Sequence, residues 1–138
     1  MTPDLPDFLQ PSYRYVCYVE NVLDGHTVVC HIDQGRRLWS LSTRLRLYGI
    51  QAPENKGEER ADALRSRGFL IEMVQQYALP QKLGCRYYDL SKLVLVTKRD
   101  KHDKYGRDLG VLYGYNGANP VNLNEEMLKG RYAKQYIT

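Results

Sequence analysis

No apolar run in this sequence approaches the ~20 residues that a bilayer span requires, so no membrane-crossing segment is expected. Cysteine is scarce, with 3 in 138 residues. Cys17, Cys30 and Cys85 are widely spaced and form no Cys-x-x-Cys pair, which excludes a disulfide framework and a zinc knuckle and leaves small buried thiols. The N-terminus, Met1-Thr2-Pro3-Asp4-Leu5-Pro6-Asp7, lacks both the cationic start and the apolar stretch of a secretory signal, so an intracellular location is expected. Internal repeats and low-complexity tracts are also missing. Neither charge sign dominates: 20 Lys plus Arg against 16 Asp plus Glu leave 20 − 16 = +4, which permits a polyanionic partner without demanding one. What is present is 43% apolar residues, too many for a disordered chain and sufficient for one core at this length. There are also 12 tyrosines, a residue suited to strand surfaces and to stacking on bases.

Residues 1–12 hold three prolines and read as an extended lead-in to a single domain over 13–138. Tyr13 to Glu20 and His26 to Asp33 alternate apolar with polar residues around an Asp24-Gly25 turn. Gln34-Gly35-Arg36-Arg37 forms the next turn, and Leu38 to Ile50 a third strand with Leu41, Thr43, Leu45 and Leu47 on one face. Beyond Pro53, Glu58 to Ala78 carries Ala61, Leu64, Gly68 and Ile71, with Val74 or Gln75, at helical spacing behind an acidic first turn. Leu90 to Lys98 and Leu109 to Tyr115 read as two further strands flanking a charged loop over 99–107. Asn119-Pro120 opens a short helix, Val121 to Lys129, closed by Gly130. His31 alternates away from the apolar face and reads as a solvated strand residue, and His102 as a solvated loop residue. Three strands, a helix and two strands predict a mainly β, α+β chain: a closed five-stranded OB-fold barrel with one long and one short helix.

Three segments concentrate polar groups at strand ends: Leu23-Asp24-Gly25-His26-Thr27-Val28, Arg44-Leu45-Arg46-Leu47-Tyr48-Gly49-Ile50-Gln51-Ala52-Pro53-Glu54, and Asp103-Lys104-Tyr105-Gly106-Arg107. In order and spacing they resemble the signatures of the staphylococcal nuclease (thermonuclease) family, and the resemblance runs from about Tyr15 to Tyr132. It implies an enzyme of the nuclease class, hydrolysing DNA or RNA phosphodiesters. Arg46 and Arg107 would clamp the phosphate, Glu54 would activate or orient water, and Lys104 and Tyr105 would contact the nucleotide. Guanidinium forks match phosphate oxygens bidentately, and fixed positive charge acts where anionic charge develops.

The departures from the family pattern carry as much information. His26 and Gln51 occupy the positions of its two calcium-binding aspartates. An imidazole and a neutral amide suit Mn²⁺, Ni²⁺, Zn²⁺ or Mg²⁺ better than Ca²⁺, with a cleft that uses no metal as the alternative. Three readings follow: a nuclease with altered or impaired metal dependence, a catalytically inactive nucleic-acid-binding domain, or a structural module. The family's C-terminal helix has no counterpart before Thr138. Arg131, Tyr132 and Tyr136 stand near its tyrosine-bearing loop without a one-to-one match. Compensation for that helix is expected from the lead-in, a protein partner or self-association.

Overall fold

The computed structural model describes residues 13–80, 90–102 and 108–136, the last five of the middle stretch by backbone alone. The expected lead-in over 1–12, and Cys85, Lys104, Tyr105 and Arg107, lie outside the described residues.

Strands β1 (Arg14–Asp24), β2 (Thr27–Gly35) and β3 (Leu38–Leu47) form the expected antiparallel meander. A short β4 (Ile50–Gln51) follows, then a 3₁₀ turn at Gly57–Glu59 running into α1 (Arg60–Gln76). Next come β5 (Ser91–His102), β6 (Asp108–Asn116), β7 (Asn119–Asn122), α2 (Leu123–Lys129) and β8 (Lys134–Gln135). β5 pairs with β1 and β6, and β6 pairs in parallel with the end of β3, Leu45 facing Asp108 and Leu47 facing Gly110. That contact closes β1, β2, β3, β5 and β6 into a ring, and the chain is a mainly β, α+β fold of the OB-like kind. Val28, Leu45, Leu47, Leu93, Leu95 and Leu112 are fully buried inside, under Leu70 of α1 and Leu123 and Met127 of α2. Each such leucine contributes roughly 1.5–3 kcal/mol of burial.

Several expectations are corrected. Asn119-Pro120 belongs to a strand paired with Tyr115 and Asn116, and helix α2 starts later, where the Asn122 side chain accepts from the Glu125 amide as N-cap. β5 runs through His102, into the expected loop. Leu41 does not share the face of Leu45 and Leu47 but is 62% exposed, because β3 carries one extra residue between Ser40 and Thr43, with Ser42 at φ 47°. On α1 the buried stripe is Ala63, Ser66, Leu70, Met73 and Val74, while Leu64 is exposed. The helix is rotated by a close approach: a Cβ on Gly25 would collide with Ser66 Oγ and lie 2.8 Å from Ala52 Cβ. The small residues therefore choose which face of α1 meets the Asp24-Gly25 turn, and hydrophobic periodicity does not.

A buried amide locks the closure. Asn124 Nδ2 donates to Tyr48 O at 2.9 Å and to Gly110 O at 3.2 Å, and its Oδ1 accepts from the Leu112 amide at 3.2 Å. Asn124→Ala strands several buried backbone groups, and urea denaturation is expected to show a loss of roughly 3–5 kcal/mol. A second prediction concerns the core thiols, Cys17 and Cys30, both buried as the sequence suggested. A hydrogen bond with Cys30, and then burial, pushes the Cys17 thiol well above its ordinary value of 9.0. The folded chain thus keeps a proton that the unfolded chain releases. This contribution is complete below pH 9 and is lost as pH rises above it, so stability measured by denaturant titration falls on the alkaline side, and Cys17→Ala flattens that slope.

Candidate functional site

Arg46 sits between Leu45 and Leu47, both fully buried in the barrel, so strand alternation turns its side chain to the opposite face. It is nonetheless only 6% exposed, and a charge so covered requires strong hydrogen bonds. Its Nη2 donates to Gln51 Oε1 at 2.7 Å, Nη1 lies 3.5 Å from the His26 carbonyl oxygen, and the guanidinium stands 5.3 Å from the centroid of the Tyr136 ring, a cation–π contact. Gln51 reaches Arg46 because the chain reverses at Tyr48-Gly49, where Gly49 adopts φ 82°, and returns as β4. β4 pairs with β8, and the Tyr136 amide donates to Gly49 O at 2.9 Å, which fixes the aromatic ring beside the arginine.

His26 ties the first motif to the second. Its own amide donates to Asp24 Oδ1 at 2.8 Å, closing the turn, and its carbonyl accepts from the Leu47 amide at 2.8 Å. Its Nδ1 accepts from the Ala52 amide at 2.9 Å, which places the ring proton on Nε2, 3.6 Å from Asp24 Oδ1. His26 and Gln51 therefore each have a ligand atom already engaged: Gln51 Oε1 by a guanidinium, His26 Nδ1 by a backbone amide. Among the described residues no three His, Cys, Asp or Glu side chains gather in a way that would hold a metal ion.

The structure brings Arg46, Gln51 and His26 together. Glu54 is 56% exposed, and its carboxylate pairs with Lys56 Nζ at 3.2 Å, a surface contact worth little. Asp108, the residue after Arg107, is paired with Leu45, so the described chain enters β6 directly beside Arg46's strand. Two groups beside Arg46 carried no strong sequence signal. Tyr136 is ordered by a two-residue strand too short to show periodicity. Thr27, facing Arg46 across the β2–β3 ladder, is 3% exposed, and its hydroxyl has no hydrogen-bond partner among the described residues.

The sequence profile of the staphylococcal nuclease homologue family matches residues 44–138, well over half of the chain. The chain belongs to the staphylococcal nuclease homologue family. The match includes Arg46, Gln51, Glu54, Lys104, Tyr105 and Arg107 and begins after His26. This family member is also similar to the uncharacterized protein MJ1439 of Methanocaldococcus jannaschii, 29% identical over 138 aligned positions that cover 95% of this chain. It spans 64% of the length of that curated relative. No described helix is long and apolar enough to cross a membrane.

If His26 acts as a structural acceptor, its truncation has a defined cost. His26→Ala leaves the Ala52 amide without its acceptor and is expected to lower stability by roughly 1–3 kcal/mol in urea denaturation, whether or not divalent ions are present.

Proposed function

We propose that this chain is a nucleic-acid-binding domain of the nuclease fold that grips the phosphodiester backbone with Arg46, without a resident metal ion. The carrying observation is the 2.7 Å hydrogen bond from Arg46 Nη2 to Gln51 Oε1. In the family pattern a carboxylate at this position serves the metal. Here a neutral amide orients the guanidinium and brings no charge of its own, whereas a carboxylate at position 51 would form a salt bridge with it. A dication bound by Gln51 would stand a few ångströms from that fixed cation, a repulsion of several kcal/mol at an effective dielectric near 20. The residues present do not fit calcium, which favours charged oxygen ligands. Arg107, Lys104 and Tyr105 extend the same phosphate contact by their place in the family motif. The +4 charge suits a polyanion.

A hydrolytic reading, with Mn²⁺, Ni²⁺, Zn²⁺ or Mg²⁺ near His26, Gln51 and Glu54, makes the opposite prediction for the same experiment. Labelled single-stranded DNA and RNA are titrated by fluorescence anisotropy in EDTA and in each ion, with cleavage followed on gels. Binding is expected to survive EDTA, to weaken as salt rises, and to fall about 5- to 30-fold in Arg46→Ala, with no cleavage. Ion-dependent cleavage that disappears in Glu54→Gln would establish the nuclease instead. Calcium-dependent cleavage appearing only in the double variant His26→Asp, Gln51→Asp would show that the missing carboxylates are the whole difference.

A further inference from the structure

The early half of β3 exposes a tryptophan on the same face as Arg46, and it does so through an irregularity in the strand. Trp39 and Arg44 are five residues apart, an odd separation that in a regular strand places two side chains on opposite faces. The ladder shows otherwise. Asp33 faces Trp39, Val29 faces Arg44 and Thr27 faces Arg46, all odd positions of β2, while the intervening even positions Val28, Cys30 and Ile32 are buried in the core. The extra β3 residue opposite His31 restores the match and re-aims Trp39 outward. The bulge is fastened by side chains: His31 Nδ1 accepts from the Ser42 amide at 3.1 Å, and Glu20 Oε2 accepts from Ser42 Oγ at 3.1 Å and from His31 Nε2 at 3.1 Å. His31, expected to be solvated, thus has a side chain only 15% exposed.

We propose that a single-stranded nucleic acid held at Arg46 continues along this outer face of β3, past Arg44, to a base-stacking platform made by Trp39 and Tyr18. This inference rests on the phosphate-binding reading above. The indole is 38% exposed and tilted 42° to the Tyr18 ring, with centroids 5.8 Å apart. Exposed aromatic faces in a row with arginines are what unpaired bases and their phosphates recognise. Arg44 is exposed on the path, and Arg36 and Arg37 occupy the hairpin turn beyond Trp39. The carboxylates near this path are engaged: Glu20 with His31 and Ser42, Asp33 with the Gly35 amide at 2.8 Å, and Asp24, opposite Thr27, with the His26 amide at 2.8 Å. Trp39 and Arg46 face Asp33 and Thr27, six residues apart on β2, so at ~3.3 Å per strand residue they are separated by about 20 Å, which one or two nucleotides cannot bridge and a longer strand can.

Trp39 is the single tryptophan of the chain, so its emission reports the platform directly in the unmodified protein. The protein is titrated with end-labelled thymidine dinucleotide and with a twelve-nucleotide oligothymidylate, reading tryptophan emission and label anisotropy together. Expected are quenching by the longer strand that saturates with its anisotropy, little quenching by the dinucleotide, and about 5- to 100-fold weaker binding of the longer strand to Trp39→Leu, the dinucleotide being unaffected. Anisotropy that rises on the longer strand without any change in Trp39 emission, and equal affinity in Trp39→Leu, would overturn the platform and leave the Arg46 reading standing. Absence of binding by anisotropy would overturn both.

Discussion

The parallel contact between the end of β3 and the start of β6 is the constraint on which the rest of the molecule depends. Only Leu45, Arg46 and Leu47 take part on one side, and Asp108, Leu109 and Gly110 on the other. So short a ladder is weak by itself, and parallel pairing is the less stable kind. Its strength comes from around it: the Tyr48 amide donates to Gly110 O at 2.8 Å, and Asn124 bonds the Tyr48 and Gly110 carbonyls and the Leu112 amide from a buried position. A Cβ on Gly110 would lie 3.1 Å from Val96 O and would push the end of the Leu95 side chain aside in the core, so the close approach of the strands favours glycine there. Helix α2 is thereby a clamp on the ring as well as a cover for the core.

The same contact creates the site. Closing the ring forces Leu45 and Leu47 inward, which leaves Arg46 on the outer face, and brings the strand that follows Arg107 alongside it. The reversal at Gly49 then carries Gln51 back to the guanidinium, and β8 brings Tyr136 over it. Three groups from separate segments meet one arginine, and each is placed by backbone pairing, which fixes geometry more tightly than side-chain contacts do. An arginine so held has lost most of its rotamer freedom before any ligand arrives, so the entropic cost of ordering it falls on folding and not on binding.

How much of this was legible depended on the length scale of the signal. The meander, the long helix and the last strands were readable because alternation and helical spacing persist over eight or more residues. The motifs around Asp24, Arg46 and Glu54 were readable because their spacing is fixed by turns. What escaped was decided by single contacts between distant segments. Ser66 lies over Gly25 because both are small, and this rotated α1 away from the face that Ala61 and Leu64 suggested. Leu41 left the apolar face because one inserted residue inverts everything before it, and no periodicity survives a change of phase. His26 could be named as a departure from a pattern, but its role as acceptor for the Ala52 amide depends on a neighbour 26 residues away.

That role bears on how the surroundings of Arg46 are held. Each of the two polar side chains turns a hydrogen-bonding function inward: Gln51 toward Arg46, His26 toward the backbone of the strand that carries Gln51. The two are joined through the backbone, since the Ala52 amide that His26 holds directly follows Gln51. An arrangement of this kind is self-supporting. Its positive charge is a fixed guanidinium where the family pattern implies an exchangeable ion, and a fixed cation suits holding a phosphodiester better than it suits activating water to cut one, because a guanidinium has no coordination position at which water can lose a proton.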